Sequence, residues 1–161
     1  MRRRSPERAK GLPHTASNLL IHIVFSTKGR APLISGEIQD DLHAYLGGII
    51  REIGGKALIV NGTVDHVHVL IRTPTTRSSA EIVRLLKANS SKWIHQKWPQ
   101  QRGFTWQSGY GAFSVSESPV DSVRAYIASQ QEHHKKISFQ DEFRAFLRKN
   151  NIEVDERYLW E

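Results

Sequence analysis

Apolar residues along this chain recur with two different periods, and the switches between them lay out the elements. LLIHIVF (19–25) is a continuous apolar run of strand length. STKGRAP interrupts it. Beyond the break Ile38, Leu42, Tyr45, Leu46, Ile49 and Ile53 fall three to four residues apart, which predicts a helix that stops at Gly54-Gly55. ALIV (57–60) and VDHVHVLI (64–71) read as two strands joined by a turn at Asn61-Gly62. Side chains alternate along a strand, so Val67, Val69 and Ile71 face one way while His66, His68 and Leu70 face the other. Ser78-Ser79-Ala80-Glu81 has capping-box spacing and predicts a helix with Ile82, Leu85, Leu86 and Trp93 as apolar positions, ending near Pro99. AFSVS (112–116) alternates like a strand. Ser118 as cap and Pro119 at the first position predict a further helix that carries Tyr126 and runs to about His134. FQDEFRAFLRKN (139–150) reads as a last amphipathic helix.

The order strand, helix, strand, strand, helix, strand, then one or two helices predicts an α+β fold. Its core is a ferredoxin-like antiparallel sheet with helices on one face, followed by C-terminal helices. Residues 14–161 read as one domain and 1–13 as a mobile basic arm ending at Gly11 and Pro13. No apolar run reaches membrane-spanning length, and no apolar stretch follows the basic start as it would in a secretory signal.

Composition narrows the partners. With 161 residues, 39% of them hydrophobic, the chain suits one ordinary core. It has no cysteine, which excludes disulfides and thiolate zinc sites and suits a reducing cytoplasm. A net charge of +7 favours a polyanion, of which nucleic acid is the commonest. Between residues 77 and 102 six cations face a single acid, Glu81. Of these, Arg84, Lys87, Lys92 and Lys97 lie on the predicted second long helix and are candidates for neutralising phosphates. Trp93, Trp98, Trp106 and Tyr110 are candidates for stacking on unpaired bases, with core packing the preferred role for Trp93 and Trp106.

His66 and His68 leave the same strand face, a two-point clamp suited to a divalent metal. The same spacing equally describes two polar residues on the outer face of a sheet. On the Tyr126 helix, Val120, Val123 and Ile127 form the apolar stripe, and Tyr126 and Gln130 sit beside it one turn apart. Gln130 offers a carbonyl oxygen; His133 and His134 continue the same side.

These segments match a known family. NLLIHIVFSTKGR (18–30), DHVHVLI (65–71), WQSGYGAFSVS (106–116), YIASQQEHHKK (126–136) and FQDEFRAFL (139–147) resemble the single-tyrosine HUH transposases of the smallest bacterial insertion sequences. That family includes relatives associated with repetitive extragenic palindromes. The resemblance spans roughly residues 14–160 and implies that Tyr126 is the nucleophile. It further implies that His66, His68 and Gln130 ligate Mg²⁺ or Mn²⁺, and it gives His133 and His134 no catalytic role. Cleavage of single-stranded DNA bearing a hairpin would then pass through a 5′-phosphotyrosine, on the bacterial nucleoid. The resemblance also implies a homodimer whose tyrosine helix completes the partner's histidine site. The chemistry agrees: a metal relieves phosphodiester charge, a covalent intermediate conserves the bond energy for rejoining, and oxygen donors tilt two imidazoles toward magnesium or manganese. Two rivals share the charge pattern, a non-catalytic single-strand-binding module and a domesticated endonuclease acting on palindromic repeats. A two-histidine phosphoesterase needs paired His-x-Thr/Ser motifs, and none occurs.

Overall fold

In the computed structural model, which describes residues 15–161, the elements follow the predicted order. They are β1 (Leu20–Ser26), α1 (Gly36–Glu52), β2 (Lys56–Gly62), β3 (His66–Arg72), α2 (Ser79–Lys97), β4 (Gly111–Val115), α3 (Val120–Ala128), α4 (Gln130–His133) and α5 (Phe139–Lys149). The predicted basic arm lies outside the described residues. Every strand pairing is antiparallel, and the sheet order is β2-β3-β1-β4. This is the ferredoxin-like arrangement that the element order predicts. No described helix is long and apolar enough to cross a membrane.

The alternation along β3 separates two layers. Val67, Val69 and Ile71 join Ile23, Phe25 and the apolar stripes of α1 and α2 in the larger core. On the opposite face Leu70 packs with Leu20, Val120 and Ile127, and Val24 packs with Phe113, Phe139, Phe143 and Leu147. The C-terminal helices therefore roof the sheet face that bears the histidines. The predicted capping box at the start of α2 is formed by Ser78 and Glu81. Gly54, with a φ of 88°, terminates the first helix as a left-handed residue.

Three local expectations give way. The Asn61-Gly62 turn is absent: β2 runs through Gly62, and the connection to β3 is made by residues 63–65. Asn61 is instead used over long range, its Nδ2 donating to the Ile127 carbonyl at 2.9 Å and the Ala128 carbonyl at 3.2 Å. Gly62 is needed for a close approach. A Cβ there would lie 2.1 Å from the His66 carbonyl oxygen and 2.9 Å from Val67 Cα. Gly62→Ala should therefore cost about 3 kcal/mol, the upper end for overpacking, or roughly 6–12 °C in Tm by thermal melting. An unchanged Tm would show that the hairpin opens at little cost. Secondly, α3 begins at Val120 with Pro119 as its cap, and no side chain caps it. Thirdly, the tyrosine helix is broken at Ser129, so that Tyr126 ends one segment and Gln130 begins the next.

Candidate functional site

His66 and His68 are fully buried, not half-exposed on an open sheet, because α3, α4 and α5 cover them. Each imidazole is fixed from behind. His66 Nδ1 lies 2.7 Å from Asp65 Oδ1 and 3.0 Å from Thr63 Oγ1. Burial pushes the Asp65 carboxyl up, but its bonds to His66 and Thr63 prevail and hold it below its ordinary range. His66 Nδ1 thus donates to Asp65, and Nε2 on the far side of the ring faces Gln130 Oε1 at 3.3 Å. His68 Nδ1 lies 2.8 Å from His22 Nε2 on β1. Burial lowers His68 to about 4 and His22 to about 3, so both rings are neutral at pH 7.

Gln130, also fully buried, arrives from the break after α3, and His134 follows one turn later. His134 Nδ1 donates to the Ile137 carbonyl at 2.9 Å. Its Nε2 faces Gln130 Oε1 at 2.9 Å and Glu142 Oε2 at 3.0 Å. Glu142, 5% exposed on α5, has His68 Nε2 2.8 Å from Oε1 and His133 Nε2 2.8 Å from Oε2. Burial would raise its carboxyl, but His134 and His68 outweigh it and the group is ionised well below the usual carboxylate range. Tyr126 stands on the same cluster, its ring centroid 6.0 Å from that of His68 and 5.1 Å from that of His133. Burial, and then the Glu142 carboxylate, push its hydroxyl well above the ordinary tyrosine range.

The donor set fits a divalent cation. One donor atom from each of His66, His68, His134 and Glu142 lies within 4.8 Å of the others. His68 Nε2 and both Glu142 oxygens are buried without an aligned hydrogen bond, although nitrogen and carboxylate are in contact. Buried polar atoms that converge in this way are costly where they are unpaired, and a cation can share their lone pairs.

All four residues singled out for chemistry, Tyr126, His66, His68 and Gln130, are brought together, and by one chain. The resemblance implies a tyrosine helix that completes a partner's site; here α3 lies over its own β2 and β3. Sequence reasoning missed Glu142, His134 and His22. Glu142 had a signal, since it falls on the Phe139, Phe143, Phe146 stripe of α5, where a carboxylate has no reason to be unless partnered. His22 had another, as the polar residue inside the buried run of β1.

The basic residues of α2 are not part of this cluster, because α2 packs on the other face of the sheet. Arg84 and Lys92 are exposed there. Lys97 pairs with Asp41. Lys87 is committed to backbone, donating to the carbonyls of Gln107 at 2.8 Å and Gly109 at 2.6 Å, and burial lowers it to about 8. Trp98 and Trp106 are core residues and Trp93 stacks on Tyr45, so only Tyr110 of the four aromatics offers an exposed face. Two clefts flank the cluster itself. One, of about 590 Å³, opens between Tyr126, His133, Phe146 and Lys149. The other, of about 520 Å³, runs past Arg30, Asp65, His66 and Lys135.

Two solved structures of the transposase class share this fold. A Deinococcus radiodurans protein assigned as a transposase matches with a TM-score of 0.61 at 24% identity, covering 75% of this chain and 97% of that one. A REP-associated tyrosine transposase bound to a REP hairpin matches with a TM-score of 0.57 at 12% identity, covering 78% and 74%. The family model for IS200-like transposases matches residues 15–130, and the chain belongs to that family. Among its relatives, the ISDra2 transposase TnpA of Deinococcus radiodurans is 27% identical over 116 residues, 69% of this chain and 83% of the relative. The transposase of insertion sequence IS200 from Salmonella typhimurium is 27% identical over 131 residues, 78% and 86% of the two chains.

Proposed function

We propose that this transposase cuts and rejoins single-stranded DNA at hairpin-bearing ends, with Tyr126 as nucleophile and His66, His68 and Gln130 as ligands of Mg²⁺ or Mn²⁺. One observation carries the reading: Tyr126 stands beside the buried His66, His68 and Gln130 cluster, with its hydroxyl facing Glu142. When bound, the cation neutralises the non-bridging oxygens of the scissile phosphate. The Tyr126 oxygen attacks phosphorus, the bond to the 3′ oxygen breaks, and a free 3′-hydroxyl and a 5′-phosphotyrosine result. The reverse attack by another 3′-hydroxyl regenerates the phenol and joins the strands. Asp65 and His22 hold the two strand histidines in orientation. Arg30 supplies positive charge along the cleft that leads to His66, and Lys135 lines it while paired with Glu132 at 2.8 Å. The hairpin is the less direct part of the reading; it rests on the family and on the fold shared with a protein solved on a REP hairpin.

A phosphate that must reach a buried cluster roofed by helices favours a flexible single strand over a stacked duplex. The test presents one element end as top strand, bottom strand and duplex, with Mg²⁺. One strand should be cut and the other two substrates left whole. Binding should weaken with salt by about 0.7 log units per neutralised phosphate per log unit of salt. Equal cleavage of the duplex would overturn the single-strand reading.

The same closure within one chain supports a site complete in each copy. The homodimer with composite sites that the resemblance implies would need α3 to swing out at Ser129. The Asn61 bonds to Ile127 and Ala128 would have to break for it to do so.

A further inference from the structure

We propose that His134 and Glu142 are ligands of the same cation, so that the metal centre gathers imidazoles and a carboxylate that tie α4 and α5 to the sheet. The inference rests on the reading of His66 and His68 as metal ligands and adds two residues outside the three that the resemblance supplies.

The geometry is the argument. His134 Nδ1 donates a hydrogen bond to the Ile137 carbonyl at 2.9 Å. Glu142 favours the protonated ring, whose Nε2–H donates to Gln130 Oε1 at 2.9 Å and faces Glu142 Oε2 at 3.0 Å; a cation would displace that proton and take up the lone pair. His66 repeats the pattern, with Nδ1 bound to Asp65 and Nε2 turned to Gln130 Oε1. The Glu142 carboxylate is 5% exposed, contacts His68, His133 and His134, and has an aligned hydrogen bond to none of them. Donor atoms from three separate segments, β3, the end of α4 and α5, converge within 4.8 Å of one another, as a cation requires. Each of the three imidazoles also has a rear support of the kind found behind metal ligands: Asp65 behind His66, His22 behind His68, and the Ile137 carbonyl behind His134.

Two properties follow. Three imidazoles and one carboxylate hold zinc more tightly than manganese or magnesium, which prefer oxygen ligands. Because His134 and Glu142 lie beyond the Ser129 break, metal binding also clamps the C-terminal helices, so the free energy of binding adds to that of folding.

The experiment is calorimetric titration of the full, DNA-free chain with MnCl₂ and with ZnCl₂, together with the Tm of each sample. Wild type, His66→Ala, Glu142→Gln and His134→Gln are compared. The wild type should bind one equivalent and gain Tm; His66→Ala should lose binding. Glu142→Gln and His134→Gln should each bind at least about tenfold more weakly, with a smaller gain in Tm. If both bind as the wild type does while His66→Ala does not, this proposal falls and the strand-histidine reading stands. If the wild type binds neither ion, both fall. Circular dichroism checks the fold of each variant, and X-ray absorption on the zinc-loaded wild type needs no variant at all. It should report three imidazoles, and a site with only two would overturn the assignment of His134.

Discussion

Tyr126→Phe should abolish the covalent protein–DNA adduct while leaving the fold and the binding of single-stranded DNA in place. The ring is half-buried against His68, His133 and Phe146, and phenylalanine keeps all of those ring contacts. Only the hydroxyl is lost. That hydroxyl is raised well above its ordinary range by burial and by the Glu142 carboxylate, so it contributes no charge to DNA binding at neutral pH. On the proposed reading it is the oxygen that displaces the 3′ end. Removing a nucleophile of this kind costs on the order of 10⁴-fold or more in rate. A denaturing gel with labelled DNA should show no shifted adduct, and a mobility-shift assay should give an affinity within about twofold of the wild type. A surviving adduct would remove Tyr126 from the role of nucleophile. The same variant addresses assembly. Mixed with His66→Ala, it should not regain cleavage if each chain uses its own α3; regained cleavage would show that two copies exchange their tyrosine helices.

The second large effect concerns the strand histidines. His66→Ala and His68→Ala should each lower cleavage on the order of 10³-fold, corresponding to the several kcal/mol of charge stabilisation a metal lends to a phosphate. EDTA should produce the same loss in the wild type, and Mg²⁺ or Mn²⁺ should reverse it. The two variants should differ in stability. His66→Ala strands the half-buried Asp65 carboxylate, whose ionisation depends on its bond to that ring. His68→Ala opens a cavity beneath Phe146 and Tyr126 and removes a partner of His22 and Glu142. Both should melt below the wild type, so activity is read at a temperature where circular dichroism shows each variant folded. Undiminished cleavage in EDTA would refute metal-assisted chemistry outright.

Local patterns in the sequence determined the strands, the two long helices, the sheet order's class, the shared face of His66 and His68, and the helix that bears Tyr126. Each of these depends on periodicity, which is a property of neighbouring residues and is written in the chain. Tertiary structure decided the rest. Asn61-Gly62 has the composition of a tight turn, but Asn61 finds better partners in Ile127 and Ala128, and Gly62 is needed to let β2 pass the His66 carbonyl. Lys87 reads as a phosphate contact, yet three carbonyls of a distant loop claim its ammonium. His66 and His68 share a face by alternation, but their complete burial comes from α4 and α5 folding back over the sheet. Glu142 becomes part of the site only through that return, 74 residues after His68 in the chain and 2.8 Å from it in space. A residue's partners across such a separation are set by which faces need covering. Among the described residues the sheet's second apolar face is covered by the C-terminal helices and the tail at Leu159 and Trp160, and covering it carries the carboxylate and His134 onto the histidines.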